Sequence, residues 1–187
     1  MIFSTKVSSN PFKIVLLLGA VLVSLSCSNQ DKGDILLFPL IESSQITAKV
    51  RNSNSIPLTN NTYTELSFDT VDYDLGNFFE SSSSDRLTIP TTGKYYIIGQ
   101  LEYSNSTAGV RKTNILINKD SSPYVIAADL VPASGSTSYD IETQVEALGR
   151  LKKGDTVSLQ AFQDSGGTLP LLANAYSSVF AIIKLSE

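Results

Sequence analysis

The chain has 187 residues, of which 42% are hydrophobic and 17% are charged, and its formal net charge is −4. This length fits one folded domain with additional segments, and Lys and Arg do not cluster as nucleic-acid binding requires, so nucleic acid is not an expected partner. The sequence contains no His, and Cys27 is its single Cys. Catalytic sites of the Ser-His-Asp and Cys-His types and a disulfide within the chain are therefore excluded.

Residues 1–26 have the pattern of a secretory signal. Lys6 and Lys13 precede IVLLLGAVLVSL, which is twelve residues without a charge. A basic start, a short apolar run and a small residue before the cut are typical of such a signal. The run is too short to span a bilayer as a helix, which takes about 20 residues. Cleavage removes two lysines and no acidic residue, so the mature chain would carry a net charge of −6.

Cys27 lies where the predicted signal would be cut. Ser26 before it fits the lipobox of bacterial lipoproteins, whose cysteine becomes the lipidated first residue of the mature chain. Ser24 and Leu25 stand in the reverse of the usual large-then-small order, so the match requires a relaxed lipobox. The alternative is a free Cys that follows an ordinary signal by chance. We expect lipidation at Cys27, a tether over residues 27–45, and a membrane-anchored protein of the cell envelope.

Residues 46–187 are expected to form a separate all-β domain. Short alternating segments such as ITAKVRNS and YTELSFDT recur at spacings of about ten residues between Gly, Pro, Asn and Ser, which is typical of a sandwich or barrel. Gly93 is predicted to adopt a positive φ after Pro90. Residues 121–138 are interpreted as a long irregular segment, and KKGD as a turn between strands in register at Leu151 and Val157.

Four blocks of this domain form an ordered pattern. They comprise an aromatic–acid–aromatic series, a G-x-Y strand, an L-x-x-G-D-x-V turn and the closing strand SSVFAIIKL. The residues of the first three blocks are Phe68, Asp74 and Phe79; Leu87, Pro90, Gly93, Tyr95 and Ile97; and Leu151, Gly154, Asp155 and Val157. Together the blocks resemble the complement C1q head and tumour necrosis factor superfamily. Leu87 replaces the usual Phe one residue late, Gly99 replaces an aromatic, and Ala181 replaces a Gly.

The resemblance implies a jelly-roll β-sandwich of about ten antiparallel strands that assembles as a homotrimer. By this comparison the monomer core contains Phe68, Tyr95, Ile97, Leu101, Val157, Leu159, Phe180 and Ile182. The trimer interface would contain Tyr96, Ile98, Val179, Ala181 and Ile183. The strand GKYYIIGQLEY is apolar on both faces, which a subunit interface would explain. The alternative is that loops such as YVIAADLVP cover the second face within one chain.

Metal binding and catalysis have weaker support in the sequence. Asp69, Asp72 and Asp74 are close enough in the chain to suggest calcium, but their spacing matches no 12-residue calcium loop, and solvated surface carboxylates are the favoured interpretation. A carboxylate pair for glycoside hydrolysis stays open, although the acids lie mostly in polar segments. No metal or cofactor site and no catalytic residue is assigned.

The sequence thus predicts an exported, lipid-anchored, homotrimeric binding module that recognises a protein or a glycan. Loops at 76–84, 104–110, 119–138 and 164–176 are the candidate contact surface because binding residues concentrate on loops. Two alternatives from other classes remain, namely a monomeric carbohydrate-binding β-sandwich and, with less support, a carboxylate-pair hydrolase. A purely structural role in the envelope also stays open, since the sequence does not separate it from adhesion.

Overall fold

A computed structural model describes residues 45–173 and 178–187, which are almost entirely β-structure. The predicted signal, Cys27 and the tether as far as residue 44 lie outside these residues. The strands are β1 Thr47–Arg51, β2 Ile56–Leu58, β3 Thr62–Glu65, β4 Thr70–Asp74, β5 Leu87–Thr88, β6 Gly93–Tyr103, β7 Val110–Ile117, β8 Tyr124–Pro132, β9 Ile141–Leu151, β10 Thr156–Gln163, β11 Leu169–Leu171 and β12 Val179–Ser186. The helical content of the described residues is one 3₁₀ turn at Ser81–Ser83.

The strands form two antiparallel sheets. In the seven-stranded sheet, β6 pairs with β9 along one edge and with β12 along the other. On its far side β12 pairs with β1, which in turn pairs with β4. The short strand β11 pairs with the end of β6 and with β2. The five-stranded sheet has the order β3-β10-β7-β8, with β5 paired to the start of β10. The predicted all-β jelly-roll sandwich is confirmed.

The hydrophobic core fills the space between the two sheets. In β6 every second residue from Gly93 to Tyr103 is buried, as expected for a strand with one face on the core. The eight residues expected in the core all lie there, each no more than 3% exposed. The Phe68 and Phe180 rings pack with their centroids 5.5 Å apart. Phe78 and Tyr103 are equally buried, and sequence reasoning did not place them in the core.

The prediction of an irregular segment over residues 121–138 is wrong. Tyr124–Pro132 form β8, which pairs with β7 along the edge of the five-stranded sheet, so only the flanks of the candidate loop 119–138 are irregular. Val125 lies opposite Leu116 and Ala127 lies opposite Ile115, which leaves Ile126 as an extra residue in the ladder. This bulge interrupts the period-two alternation by which a strand is recognised in sequence.

The predicted conformation of Gly93 is also wrong. Gly93 begins β6 and is not among the glycines with a positive φ. A Cβ atom at this position would lie only 2.5 Å from the backbone oxygen of Ser186 and 2.5 Å from Cε of Lys184. Glycine is therefore required by the close approach of β12 and not by the backbone angle.

KKGD turns the chain as predicted, but the two strands that it connects belong to different sheets. β9 pairs with β6, whereas β10 pairs with β7, β3 and β5. Gly154 has a φ of 88°, and the carboxylate of Asp155 accepts a 2.7 Å hydrogen bond from the amide of Lys152. The turn thus carries the chain from one layer of the sandwich to the other.

Candidate functional site

The five residues expected at the trimer interface lie next to one another on the outward face of the seven-stranded sheet. Ile183 is opposite Tyr96 in the β6–β12 pair, Ala181 is opposite Ile98, and Val179 is opposite Gln100. Their neighbours along each strand, such as Ile97 and Ile182, point into the core. We call the surface formed by Tyr96, Ile98, Val179, Ala181 and Ile183 the apolar stripe.

The apolar stripe runs through the middle of its sheet. β12 has β6 on one side and β1 on the other, so its outward side chains are flanked by both neighbours. Val179 and Ala181 consequently keep only 9% and 8% of their surface exposed, while Tyr96, Ile98 and Ile183 are half-buried. These side chains form an apolar surface of small exposed area, and a second molecule could pack against it without disturbing the core.

Leu148 extends this apolar surface onto β9. It lies opposite Tyr96 in the β6–β9 pair and is 70% exposed. Sequence reasoning did not select Leu148, although the alternation of β9 indicates that its side chain faces outward. Leu148 is in phase with the exposed Glu142, Gln144 and Glu146 and out of phase with the buried Val145. An isolated apolar residue on an otherwise polar strand face is the feature that could have identified it.

Carboxylates line the β9 side of the stripe. Glu146 lies opposite Ile98, and its carboxylate accepts hydrogen bonds from the Tyr96 hydroxyl and from Nε2 of Gln144, the latter at 2.6 Å. The bond to Glu146 raises the pKa of Tyr96, and the same bond, with that from Gln144, lowers the pKa of Glu146. Further along the same pair of strands, Glu102 faces Glu142. On the same face, next to Tyr96, Lys94 lies opposite Arg150, so this side of the stripe carries both acidic and basic groups.

Basic residues line the opposite side of the stripe, on β1. Lys49 is opposite Ala181 and Arg51 is opposite Val179. Both cations hold Asp72 of β4, with Nζ of Lys49 3.1 Å and Nε of Arg51 2.9 Å from its oxygens. The Arg51 hydrogen bond, aided by Lys49 and opposed by burial, lowers the pKa of Asp72. An apolar centre between charged margins is the usual composition of a protein–protein interface.

The three aspartates considered for calcium each bind protein donors of their own. Asp69 accepts hydrogen bonds from Ser53 and Thr70, Asp72 pairs with Lys49 and Arg51, and Asp74 accepts bonds from backbone amides that follow it. Within residues 45–173 and 178–187, no three His, Cys, Asp or Glu side chains are arranged to hold a metal ion.

The candidate loops are distributed over several connections. Residues 75–80 bend before the 3₁₀ turn, residues 104–109 connect β6 to β7, and residues 164–168 connect β10 to β11. Asp164 joins two of these loops, since its Oδ1 accepts a hydrogen bond from the amide of Val110. Residues 174–177 of the last candidate loop lie outside the described residues.

Comparison with known proteins identifies the fold. No protein-family model and no curated protein sequence matches the chain. Among solved structures, murine APRIL at pH 5.0 superposes with a TM-score of 0.61 at 12% identity, covering 75% of this chain and 99% of APRIL. Murine APRIL at pH 8.5 gives 0.59 at 13% identity, with 75% and 99% covered. Eiger TNF from S. frugiperda gives 0.57 at 12% identity, with 77% and 94% covered. The described domain therefore has the same jelly-roll fold as APRIL and Eiger TNF.

Proposed function

We propose that this protein is a homotrimeric binding module that is exported and held at the bacterial envelope by a lipid on Cys27. The observation that supports self-association is the apolar stripe, which lies at the centre of a sheet and not in a peripheral loop. A contiguous apolar surface bordered by charges is characteristic of an interaction site. Burying it against another copy would remove the exposed parts of Tyr96, Ile98, Ile183 and Leu148 from water, whereas Val179 and Ala181 are already mostly buried within one chain.

Three copies are the assembly that the fold favours. Members of the superfamily that the chain resembles assemble as homotrimers through the outward face of the sheet that contains the G-x-Y strand, and the stripe occupies the corresponding face. A trimer would present each surface loop three times. Repetition of this kind converts weak single contacts into useful avidity when a ligand is itself repeated.

Binding, and not catalysis, is the proposed activity. The sequence has no His to act as a general base. The chain shares its fold with APRIL and Eiger TNF, to which it is similar over three quarters of its length. On the proposed interface, the carboxylate of Glu146 accepts hydrogen bonds from the Tyr96 hydroxyl and from Gln144, which is consistent with a structural role for this carboxylate.

The membrane anchor is proposed from the sequence alone. Residues 1–26 have the signal pattern, and Ser26-Cys27 fits a relaxed lipobox. None of the described residues belongs to a helix long and apolar enough to cross a bilayer. Expression of the full chain with a labelled fatty acid should give a labelled protein, and Cys27→Ser should abolish the label. Labelling that persists in the variant would contradict the anchor.

The trimer is tested by measuring the mass of the protein purified in a mild detergent, using native mass spectrometry. The wild type should have the mass of three chains. Tyr96→Asp should give single chains, because it places a charge in the centre of the interface. Tyr63→Asp is the matched control, since Tyr63 is an exposed tyrosine on β3 of the other sheet. A single-chain mass for the wild type would overturn the trimer.

A further inference from the structure

Four exposed cations lie together at one end of the seven-stranded sheet. Lys94, the second residue of β6, is opposite Arg150 of β9, and Lys152 and Lys153 follow β9 directly in the turn that leads to β10. All four residues are exposed. The ion pairs found among residues 45–173 and 178–187 are formed by other cations, namely Lys49, Arg51, Arg86, Lys119 and Lys184. We call Lys94, Arg150, Lys152 and Lys153 the basic end.

The carboxylates closest to the basic end along the chain and the sheet are engaged by other groups. Asp155, in the same turn, accepts hydrogen bonds from the amide of Lys152 at 2.7 Å and from Nδ2 of Asn118 at 3.0 Å. The carboxylate of Glu187 pairs with Lys184 at 3.2 Å. The exposed Glu80 lies in the connection that follows β4, the strand at the other edge of the sheet. The basic end is therefore locally positive, although the chain as a whole carries a net charge of −4.

The loops at the opposite end of the sandwich are acidic. They are the connections from β6 to β7, from β8 to β9 and from β10 to β11. These loops contain the exposed Asp140 and Asp164 and neither Lys nor Arg. Arg111, near the start of β7 at this end, is fully buried. The domain thus has one positive and one negative end, with the strands running between them.

The chain enters the domain at the positive end. The backbone oxygen of Ile46 accepts a 2.9 Å hydrogen bond from the amide of Lys184 in β12, and Ser186 of the same strand is opposite Lys94. The strands β1, β12, β6 and β9 lie side by side, so their ends together span about 15 Å. The 18 residues that separate Cys27 from the first described residue could reach about 60 Å at most. An anchor at this distance keeps the domain near a membrane but does not fix its orientation.

We propose that the basic end docks on a membrane surface that carries anionic phospholipid headgroups. Each Lys or Arg close to such a surface strengthens binding about fivefold, and the same surface repels the acidic end. The two ends together would orient the domain with the acidic loops pointing away from the membrane. The inference rests on the proposed location at the envelope but not on the trimer, because all four cations belong to one chain.

Amine labelling of the purified full-length protein bound to vesicles tests this orientation. Vesicles of phosphatidylcholine alone are compared with vesicles that also contain phosphatidylglycerol, and mass spectrometry gives the acetylation rate of each lysine. Lys94, Lys152 and Lys153 should react about threefold or more slowly on the anionic vesicles. Salt at about 1 M should remove the difference, because the screening length falls to about 3 Å. Lys112 on β7 of the other sheet is the internal control and should react equally on both.

A charge reversal separates the basic end from the net charge of the protein. Lys153→Glu should weaken the attraction about 25-fold and so make Lys94 react equally fast on the two vesicle types. Lys112→Glu is the matched control, because it changes the net charge by the same amount outside the basic end, and it should leave the protection of Lys94 intact. Protection that survives Lys153→Glu, or that Lys112→Glu removes equally well, would overturn the proposal.

The same experiment distinguishes the basic end from the lipid anchor and from the trimer. Protein that stays on both vesicle types with equal labelling of the three lysines overturns the basic end alone. Protein that leaves phosphatidylcholine vesicles but stays on the anionic ones, with the three lysines protected, supports the basic end and contradicts the anchor. Slow labelling of Lys94 alone, equal on both vesicle types, indicates burial between copies and overturns docking on the membrane.

Discussion

Lys119 is the centre of a charged cluster that joins two loops to β3. Its Nζ lies 2.7 Å from Asp85 and 2.8 Å from Glu65, and it also contacts Asp120 at 3.2 Å. Arg86 pairs with Asp85 at 2.8 Å and with Asp120. The hydrogen bond from Arg86, aided by Lys119 and opposed by burial, lowers the pKa of Asp85 to about 2. Several charges held in one network can stabilise a fold more than isolated surface pairs do.

Replacing Asp85 should therefore destabilise the domain in a pH-dependent way. The pKa of the folded state lies below the unfolded value of 3.8, so ionised Asp85 stabilises the fold above pH 3.8, and this contribution is lost as the pH falls to about 2. We expect Asp85→Asn to lower the free energy of unfolding by about 1–2 kcal/mol at pH 7 and to have little effect near pH 2.

Denaturant unfolding at the two pH values measures this difference. Glu80→Gln is the control, because Glu80 is exposed and makes no ion pair within the described part of the chain. An equal loss for Asp85→Asn at both pH values would show that the side chain acts through packing and not through its charge.

Gly99 stands where the sequence resemblance would place an aromatic residue, and close packing between the sheets explains the difference. A Cβ atom at this position would lie 2.7 Å and 2.9 Å from the two terminal methyl groups of Leu159 and 3.1 Å from Val145. Leu159 of the opposite sheet thus occupies the space that a larger side chain at position 99 would fill.

At the level of elements, the sequence predicts a strand where one face is uniformly apolar. β6 is predictable because Tyr95, Ile97 and Leu101 share a face, and the stripe residues then follow from the opposite phase. β8 is not predictable in this way, because its bulge and its edge position break the alternation. The β6–β9 pairing, which places Leu148 beside Tyr96, joins segments about fifty residues apart and has no local signature.

A surface depression lined by Asn52, Ser67 and Ser84 could not be predicted either, for the same physical reason. Asn52, Ser67 and Ser84 come from three segments that only the packed sandwich brings together. Whether a buried amide oxygen finds a partner depends on its three-dimensional surroundings, and no spacing in the sequence reports it. The fold class and the apolar stripe were accessible from sequence patterns and the resemblance, whereas polar sites formed by long-range packing were not.

Asp74 determines the conformation of the loop that follows β4. Its Oδ1 accepts hydrogen bonds from the amides of Gly76 and Phe78 at 3.2 Å and 3.1 Å, and its Oδ2 accepts one from the amide of Phe79 at 3.0 Å. The loop in turn holds the fully buried Phe78 against Tyr95, whose ring lies edge-on at 6.1 Å. Asp74 is thus a structural carboxylate that secures one end of the core.

Asp74→Ala should lower the free energy of unfolding by about 1–3 kcal/mol, because three backbone donors lose a charged acceptor. Asp74→Asn, which keeps one acceptor oxygen, should have an intermediate effect. Thermal unfolding measures both, and calcium chloride added to the wild type should leave the melting temperature unchanged. A calcium-dependent rise that disappears in Asp74→Ala would instead support a metal site in this loop.

At the level of the whole molecule, charged groups border the stripe on both sides, and in the proposed trimer they would help to orient one copy against the next. Glu146 borders the stripe on β9, and Lys49 borders it on β1. In a cyclic assembly different surfaces of neighbouring subunits meet, so the β9 margin of one copy can face the β1 margin of the next, with Glu146 and Lys49 as groups of opposite charge. Such complementarity orients an interface, while the apolar centre contributes most of the free energy of association.

A substitution at Leu148 distinguishes the stability of the proposed trimer from the stability of a single folded chain. Because its side chain is 70% exposed, Leu148→Ser should leave the melting temperature of an isolated chain nearly unchanged. If the stripe and Leu148 are buried between copies, the same change should raise the concentration at which the trimer dissociates about tenfold or more, as expected for a lost apolar contact of about 1.5–3 kcal/mol. Mass measurements across a dilution series determine that concentration.

Leu130→Ser is the matched control, since Leu130 is 55% exposed on β8 of the other sheet. Dissociation that shifts for Leu130→Ser and not for Leu148→Ser would move the interface to the five-stranded sheet.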